Sequence, residues 1–333
     1  MRIVLDAMGS DNHPLPEVQA ALDAFHRWGE PVLLTGPEDE LARHVQELGG
    51  TREQVDIIHA PEVLEMTDKP AAAARGKSKN SMAVGMDLLK EGQADAFVTA
   101  GNTGGAMATA LFRLGRIRGV KRPALAITFP VSTGHAIILD IGANTDCRPE
   151  FLVQFAILGS TYSELVFGIN NPRVGLLSNG EEAGKGNAQV KETYPHLVES
   201  TLNFIGNVEP KEVFAGEVDV VVTDGFYGNV FIKTSESVSR FLLDLIKKEI
   251  RATPVTSLGA LLAKPAFTKV REILDPAEYG AGPLLGVNGL VFIGHGRSNA
   301  KALFNAIRVA RQAVEGNVLE ATREALRDRL SSE

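Results

Sequence analysis

The sequence has very little cysteine and no clustered histidine. Cys147 is the only cysteine among 333 residues, and the seven histidines are scattered along the chain. A single cysteine excludes an internal disulfide and a cysteine-rich zinc site, and the histidines lack the spacing of metal ligands. We therefore expect no bound metal.

Long apolar runs and an excess of positive charge are missing as well. No apolar run approaches the roughly 18 residues that a membrane-spanning helix needs, and Ile3–Leu5 is too short for the core of a signal peptide. These absences predict a soluble, cytoplasmic protein. Because the net charge is -7, a general nucleic-acid binder is also disfavoured, and an anionic partner must meet a local basic patch.

What the sequence does contain is an alternation of short apolar runs with segments of helical period. PVLLTG is followed by EDELARHVQELG, and ADAFVTAG by GAMATALFRL. Such runs are typical of buried strands, and their alternation with helices predicts a mostly parallel α/β sheet. With 44% hydrophobic residues the chain can bury a large core, in one domain or in two closely joined ones.

The predicted strands end in turns that contain glycine, aspartate or asparagine. Ligands of open α/β sheets bind at the carboxyl ends of strands, and glycines beside helix N-termini make sites for anions. One such turn is explained as a tight strand-to-helix connection, whereas six together favour an anion site. The six turns are Asp6–Asp11, Ala100–Gly105, Asp140–Asn144, Gly175–Asn187, Asp224–Asn229 and Gly294–Ser298.

The turn GLLSNGEEAGKGN, Gly175–Asn187, places Lys185 among Gly180, Gly184 and Gly186. It does not match a Walker A loop, because its glycine spacing is one residue short and Gly186 stands where a magnesium-binding Ser or Thr is required. The dinucleotide pattern G-x-G-x-x-G fails too, because its last glycine is missing. Neither an NTPase nor NAD binding is indicated.

Signatures of covalent catalysis are also missing. The sequence has no G-x-S-x-G elbow, and Cys147 has no recognisable histidine partner. His13 and His295 both fall in predicted loops, where a histidine serves either as a hydrogen-bonded turn residue or as a general base. We treat His295 as a binding candidate.

Residues 240–275 form a basic segment within this acidic chain. Seven basic residues stand there against four acidic ones. The apolar spacing predicts two short amphipathic helices joined at Pro265. Two interpretations stay open: a helical hairpin buried in the core or a subunit interface, or a basic, apolar-tipped projection that contacts a membrane surface or an acidic partner.

Seven stretches together carry a resemblance to one known family. They are Asp6–Asp11, Thr99–Gly105, Leu139–Asn144, Gly175–Asn187, Phe204–Val208, Asp219–Lys233 and Leu284–Ser298, and they span nearly the whole chain. On these stretches the sequence resembles the bacterial acyl-ACP:phosphate acyltransferases, the PlsX family of fatty acid/phospholipid synthesis proteins. Ser10, Gly105 and Thr223 are small departures from the residues that the family often has at those positions.

The resemblance implies a single domain over residues 1–333, with a Rossmann-like three-layer α/β/α fold related to phosphotransacetylases and isocitrate-type dehydrogenases. It implies that acyl-ACP and inorganic phosphate react to give acyl phosphate and free acyl carrier protein, without a cofactor, in phospholipid biosynthesis. It also implies a homodimer and a partnership with the downstream membrane glycerol-3-phosphate acyltransferase.

Given this reaction, Lys185 and Asn229 are the predicted catalytic residues. Lys185 supplies a cation for phosphate or for the developing oxyanion, and Asn229 a neutral donor. Asp6, Asp11 and Asp224 are expected to brace loops, because a bare carboxylate would repel phosphate. Further residues at the family's motif positions are expected to bind phosphate or substrate: Gly9, Asn102, Thr103, Gly104, Asn144, Gly184, Gly186, Asn187, Gly228, His295 and Ser298.

The resemblance favours the second interpretation of residues 240–275, in which the acidic carrier protein and the inner face of the membrane both meet the projection. The protein is then expected to associate peripherally with that membrane. The carrier-protein docking candidates are Lys264, Lys269 and Arg271. The membrane-contact candidates are Leu258, Leu262 and Phe267.

The C-terminal stretch from Ser298 onward has Leu303, Ile307, Ala310 and Val314 at helical spacing, which predicts one long covering helix.

Three other functions stay open. A phosphotransacetylase acting on acyl-CoA would not require the carrier protein. A decarboxylating dehydrogenase would need a nucleotide and a metal-binding carboxylate cluster. A catalytically inert carrier-protein sensor would keep the basic segment and lose Lys185 or Asn229. Since both residues are present, the sequence favours the enzyme.

Overall fold

Eleven strands form one continuous sheet in the computed structural model, which describes residues 1–330. Their bounds are β1 Ile3–Asp6, β2 Val32–Gly36, β3 Val55–His59, β4 Ala96–Thr99, β5 Ala124–Val131, β6 Gly134–Leu139, β7 Val174–Leu177, β8 Phe204–Val208, β9 Val220–Val222, β10 Gly282–Leu285 and β11 Leu290–Ile293. Across the sheet the strands lie in the order β3-β2-β1-β4-β11-β10-β5-β6-β9-β7-β8.

Strand direction divides this sheet into two parallel sets. β3, β2, β1, β4 and β11 run parallel to one another, and so do β6, β9, β7 and β8. The pairs β11–β10, β10–β5 and β5–β6 are antiparallel, so the two sets run in opposite directions. The predicted mostly parallel α/β sheet is confirmed, with β5 and β10 as the antiparallel link between its halves.

Helices cover both faces of the sheet. Their bounds are α1 Leu15–Trp28, α2 Glu38–Glu47, α3 Pro70–Gly76, α4 Ser81–Lys90, α5 Thr103–Arg113, α6 Pro149–Phe167, α7 Ala188–Glu199, α8 Pro210–Ala215, α9 Gly225–Ile250, α10 Pro254–Leu262, α11 Lys264–Leu274, α12 Ala300–Glu315 and α13 Val318–Leu330, with a short 3-10 helix at Pro276–Glu278.

Alternate residues of the strands enter hydrophobic cores on opposite faces of the sheet. In β1, Ile3 and Leu5 enter the core beneath α1, α6 and α12, whereas Val4 enters the core beneath α4 and α5. In β9, Val221 likewise points away from its neighbours, toward the core beneath α8 and α9. Successive strand residues point to opposite faces, and the predicted three-layer arrangement is confirmed.

Polar residues of the predicted turns start the helices that follow. The side chains of Asn102, Asn187, Asp224 and Asn299 accept backbone N–H groups in the first turns of α5, α7, α9 and α12. Such caps satisfy donors that the helix itself leaves unpaired. The N-termini of these four helices therefore lie at the carboxyl ends of the strands that precede them.

Residues 240–275, hereafter the projection, comprise the distal part of α9 with α10 and α11. The two predicted short helices are confirmed, and neither contains a buried residue. They meet at Ala263, and Pro265 lies in the first turn of α11, where its missing N–H costs no hydrogen bond. α9 itself is 26 residues long, about 39 Å at 1.5 Å per residue.

The predicted C-terminal helix is confirmed over Ala300–Glu315, and the chain then breaks at Gly316 and Asn317 before a second helix. Asn317 takes a φ of 51°, in the left-handed region that asparagine tolerates better than most residues. α12 therefore ends at Glu315, and α13 begins anew at Val318 and packs Leu326 into the core beneath α6.

Candidate active site

A cavity of about 1180 Å³ lies where the two parallel sets of strands meet β5. Leu125, Ile127 and Phe129 of β5 lie along its floor. The loops that follow β4, β11 and β6 contribute to its lining, and so does the N-terminal part of α9. The cavity therefore collects residues from both halves of the sheet.

The cavity continues along α9 toward the projection. Apolar side chains there alternate with charged ones, among them Lys233, Glu236 and Arg240. An elongated, mostly apolar space with a few polar groups at one end suits a long apolar ligand with a polar reactive group. The apolar lining residues on this wall are Ile232, Leu243, Ile246, Ile250, Phe267, Ile273 and Leu274.

Asn229 stands in the first turn of α9, on the cavity wall. Its Nδ2 donates a hydrogen bond to the carbonyl oxygen of Ile141 at 3.2 Å. The same amide lies beside Gly142, where a Cβ would be 3.0 Å from Nδ2. One N–H of this amide is therefore held by the backbone, and the second is left as a donor for a ligand.

The loop opposite Asn229 is organised by Asp140. Its Oδ1 accepts the backbone N–H groups of Leu125, Gly142 and Ala143, and its Oδ2 accepts the backbone and side-chain N–H groups of Asn144. Asp140 is fully buried, and burial raises the pKa of its carboxyl although these bonds oppose the shift. The carboxylate fixes the loop by backbone contacts rather than by touching the cavity.

Asn144 and Asn102 were predicted to bind substrate, but the protein itself occupies their amides. Asn144 Nδ2 donates to the carbonyl of Pro123 at 2.7 Å as well as to Asp140. Asn102 accepts the Gly105 N–H and donates to the carbonyl of Met66. Both asparagines act in this structure as braces of their loops.

The residues after Asn102 reach the cavity directly. Thr103 and Gly104 line it at the start of α5. Gly104 is packed so tightly that a Cβ would be 2.8 Å from the Pro70 side chain. These two predicted binding residues are brought together with Asn229 and His295 around one cavity.

The three aspartates that were predicted to brace loops differ in the contacts that they make. Buried Asp6 accepts the Met8 N–H and the Thr99 hydroxyl, at 3.1 and 2.6 Å. Asp224 accepts two N–H groups at the start of α9, both at 2.9 Å. At Asp11 it is the backbone N–H that donates, to the carbonyl of Gly296 at 2.7 Å. Burial raises the pKa of both the Asp6 and the Asp224 carboxyls.

Gly9, Gly228 and Ser298 contribute to packing. A Cβ at Gly9 would lie 2.8 Å from the backbone nitrogen of Gly101, which brings the loop after β1 against the loop after β4. Ser298 is buried and donates its N–H to the carbonyl of His295. Among residues 1–330, none of these three lines the cavity, and their predicted contact with substrate stays a prediction.

A buried carboxyl that belongs to no recognised sequence motif lies behind the Asp6–Asp11 loop. Glu17 Oε1 accepts the Ser10 N–H at 2.9 Å, while its Oε2 and the Ser10 hydroxyl have no other partner among the described residues. Burial raises the pKa of Glu17 to about 7. Glutamate is common in the first turn of a helix, so its burial could not be read from the sequence.

The lysine loop lies outside the cavity. Gly184, Lys185 and Asn187 are exposed, and the part of the chain described here places none of them among the cavity residues. The loop is fixed by the Asn179 side chain, which accepts the Gly186 N–H at 2.9 Å. It also adjoins the Asp140–Asn144 region, because Gln189 at the start of α7 donates to the carbonyl of Cys147 at 2.8 Å.

Cys147 offers no nucleophile. Burial, helped by the charges of Asp140 and Asp224, raises the pKa of its thiol to about 12. A thiol with that pKa is almost fully protonated near neutral pH and reacts poorly.

A charged cluster that the sequence analysis recognised only in part stands at the cavity rim. Glu236 on α9 pairs with Arg297, with 3.0 Å between Oε2 and the guanidinium, and lies 3.6 Å from His295 Nε2. Burial lowers the pKa of His295, the Glu236 charge raises it, and the Arg297 and Lys233 charges lower it further. Of these residues only His295 was predicted.

The projection presents apolar and basic side chains to solvent. Leu258 and Leu262 are 61% and 79% exposed, and Phe267 is 40% exposed, well above the level of core residues. Lys264 and Lys269 are exposed, and so is Arg271, which also reaches the cavity. Within residues 1–330, no helix has the length and apolar character needed to cross a membrane.

The fold is that of an α/β protein, and it is similar to the fold of a phosphotransacetylase of known structure. The solved structure of a phosphotransacetylase from Streptococcus pyogenes matches it with a TM-score of 0.63, over 95% of this chain and 94% of that chain. The two sequences are 19% identical, so the match shows a shared fold.

The chain belongs to the fatty acid synthesis protein family, whose sequence model matches residues 1–321. It is 46% identical to a phosphate acyltransferase of Desulfitobacterium hafniense, over 98% of each chain. It is 47% identical to a phosphate acyltransferase of Dictyoglomus turgidum, again over 98% of each. The family and the acyltransferase class expected from the sequence are thereby confirmed.

Proposed function

We propose that this protein transfers the acyl group of acyl-ACP to inorganic phosphate, which gives acyl phosphate and free acyl carrier protein for phospholipid biosynthesis. The observation that carries the proposal is the cavity of about 1180 Å³, apolar along α9 and polar at Asn229. Such a space accepts an acyl chain and leaves its thioester at the strand-end loops. The relatives named phosphate acyltransferase support the same chemistry.

The reaction requires no strong protein base. The second pKa of phosphate lies near neutrality, so a large fraction is already a dianion. One phosphate oxygen attacks the thioester carbonyl carbon; the new C–O bond forms, and the C–S bond breaks with its electron pair on sulfur. The thiolate then takes up a proton from solvent. The high thiol pKa of Cys147 is no obstacle to this route, because no protein nucleophile takes part.

Asn229 and Lys185 are the proposed catalytic residues. The Asn229 N–H that Ile141 does not use would donate to the oxyanion that develops on the thioester carbonyl. Lys185 would approach the phosphoryl group from the neighbouring loop, which the Gln189–Cys147 hydrogen bond ties to the loop beside Asn229. The role of Lys185 requires this loop to close over the bound substrates.

The projection is the proposed meeting place with carrier protein and membrane. Its Lys264, Lys269 and Arg271 would steer an acidic carrier protein, and its exposed leucines would enter the inner membrane surface. The apolar lining of α9 and α11 would connect that surface with Asn229. A cytoplasmic, peripherally associated enzyme follows, positioned to pass its product to a membrane glycerol-3-phosphate acyltransferase.

A homodimer is part of the same proposal. On α9, Val238, Phe241 and Leu242 are 50%, 64% and 49% exposed. An apolar stripe of this extent on one helix is unfavourable in water and typical of a helix that packs against a partner. A second copy of the chain would cover it.

The test is formation of acyl phosphate, trapped with hydroxylamine, from palmitoyl-ACP with and without inorganic phosphate. Palmitoyl-CoA at the same concentration is the comparison substrate, which carries the same acyl group without the carrier protein. We expect phosphate-dependent hydroxamate from palmitoyl-ACP alone. Product from the CoA thioester alone would make the protein a phosphotransacetylase, and product from neither would leave a carrier-protein sensor as the better account.

A further inference from the structure

The proposed reaction needs a place where phosphate waits beside the thioester, and the rim of the cavity has a cationic cluster at that place. Lys233 on α9, with His295 and Arg297 from the loop after β11, lines the cavity near Asn229. Glu236 contacts two of the three, at 3.0 Å from Arg297 and 3.6 Å from His295. The lysine loop, by contrast, lies outside the cavity.

Helical geometry sets the cluster close to the reacting carbonyl. Residues four and seven positions apart lie on the same face of a helix, so Asn229, Lys233 and Glu236 face the cavity together. One turn separates Asn229 from Lys233, about 6 Å along the axis. That separation suits the attacking phosphate and the carbonyl that it attacks.

The charges of the cluster do not cancel. Glu236 is engaged with Arg297 at 3.0 Å and lies near His295 at 3.6 Å. Among residues 1–327, whose side chains the structure describes, no carboxylate lies within ion-pair distance of Lys233. Both Lys233 and Arg297 are exposed to the solvent that fills the rim. One positive charge is therefore left over, and Arg297 and His295 carry further N–H donors.

We propose that Lys233, His295 and Arg297 form the binding site for the inorganic phosphate substrate, with Glu236 as a positioning residue that holds Arg297 and His295. The inference rests on the proposed function. Lys233 supplies a compact ammonium and Arg297 a planar guanidinium, the two side chains that bind phosphate best. The His295 ring adds a further N–H donor.

Phosphate also occurs in the pantetheine arm of the carrier protein, as a phosphodiester. That group is separated from the thioester by the full length of the arm. It cannot reach a cluster one helical turn from Asn229 while the thioester lies at Asn229. The position of the cluster therefore favours the free phosphate ion.

The first experiment titrates inorganic phosphate into the substrate-free protein by calorimetry. Wild type is compared with Lys233→Ala, Arg297→Ala and the control Lys90→Ala, an exposed lysine at the far end of α4. We expect both cluster variants to weaken phosphate binding by about 10- to 100-fold and the control to bind as wild type does. Unchanged affinity in both cluster variants would overturn the site.

Steady-state kinetics then identify the source of the phosphate. The site predicts a raised KM for phosphate and an unchanged KM for palmitoyl-ACP. The reverse pattern would assign the cluster to the carrier-protein phosphodiester and defeat the inference. If wild type binds phosphate through this cluster and yet forms no acyl phosphate, the proposed function fails while the site stands.

Glu236 has its own readout, the titration of the His295 ring followed by NMR. Glu236 is the carboxylate that raises the pKa of His295, against Lys233 and Arg297, which lower it. Glu236→Gln should therefore move the His295 titration to lower pH. An unmoved titration would show that Glu236 does not position the ring.

Discussion

Gly228, in the first turn of α9, lies against the backbone carbonyl of Asp140: a Cβ at residue 228 would be 1.9 Å from that oxygen. Gly225 is similarly close, with 2.7 Å from its own hypothetical Cβ to the carbonyl oxygen of Asn144. These contacts set how closely α9 approaches the end of β6. They therefore fix the position of Asn229, the residue next to Gly228.

Gly228→Ala should displace α9 and lower activity at least tenfold, since a misplaced donor loses much of its effect. Overpacking should also cost about 1–3 kcal/mol of unfolding free energy. Gly259→Ala is the matched control, because no atom lies within 4 Å of its Cβ position. Denaturant unfolding and hydroxamate formation measure both effects; a fully active Gly228→Ala would contradict the account.

Lys185→Ala and Asn229→Ala should each lower turnover by about 10²- to 10³-fold, as the loss of one oxyanion donor does elsewhere. Both side chains lie outside the cores, so the unfolding free energy should change little. The measurement is kcat with palmitoyl-ACP at saturating phosphate. Near wild-type turnover in both variants would defeat the catalytic assignment.

Glu17 should make stability depend on pH. Its folded-state pKa lies near 7, above the ordinary 4.5, so the folded protein holds a proton that the unfolded chain releases between those values. Stability therefore falls as pH rises from about 4.5 to 7, by up to about 3 kcal/mol from this group. Denaturant titrations at pH 5 and pH 8 should show a smaller difference for Glu17→Gln than for wild type; equal differences would refute the prediction.

Leu258→Glu combined with Leu262→Glu should abolish binding to phosphatidylglycerol-containing vesicles, because each change places a charge where an apolar contact is proposed. Activity in solution should persist, since neither leucine lines the cavity among the described residues. Val198→Glu, at a 58% exposed position on α7, is the control. Co-sedimentation measures binding, and vesicle binding undiminished in the double variant would rule out this contact.

The alternation of apolar runs was enough to predict the layers and most strands of the sheet. It did not reveal that the sheet reverses direction, because ALAITFPV and GHAIIL are apolar runs that read alike in either orientation. The reversal comes from the hairpin between β5 and β6, which pairs Val131 with Gly134.

The candidate site was predictable where its residues belong to short motifs. Asn229, Thr103, Gly104 and His295 were all anticipated, and all line the cavity. Lys233 and Glu236 were missed because charged residues on a long helix usually indicate a solvated face. The internal hydrogen bonds of Asn102 and Asn144 join segments distant in sequence, so no local pattern could show them.

The long helix α9 connects the site around Asn229 mechanically with the projection. One end carries Asn229 at the strand-end loops, and the other end carries the projection. The helix runs unbroken from Gly225 to Ile250, so a tilt of its C-terminal end must also rotate its N-terminal end. The Gly228–Asp140 contact is the point about which the helix would pivot. A partner that fixes the position of the projection therefore also fixes the orientation of the Asn229 amide.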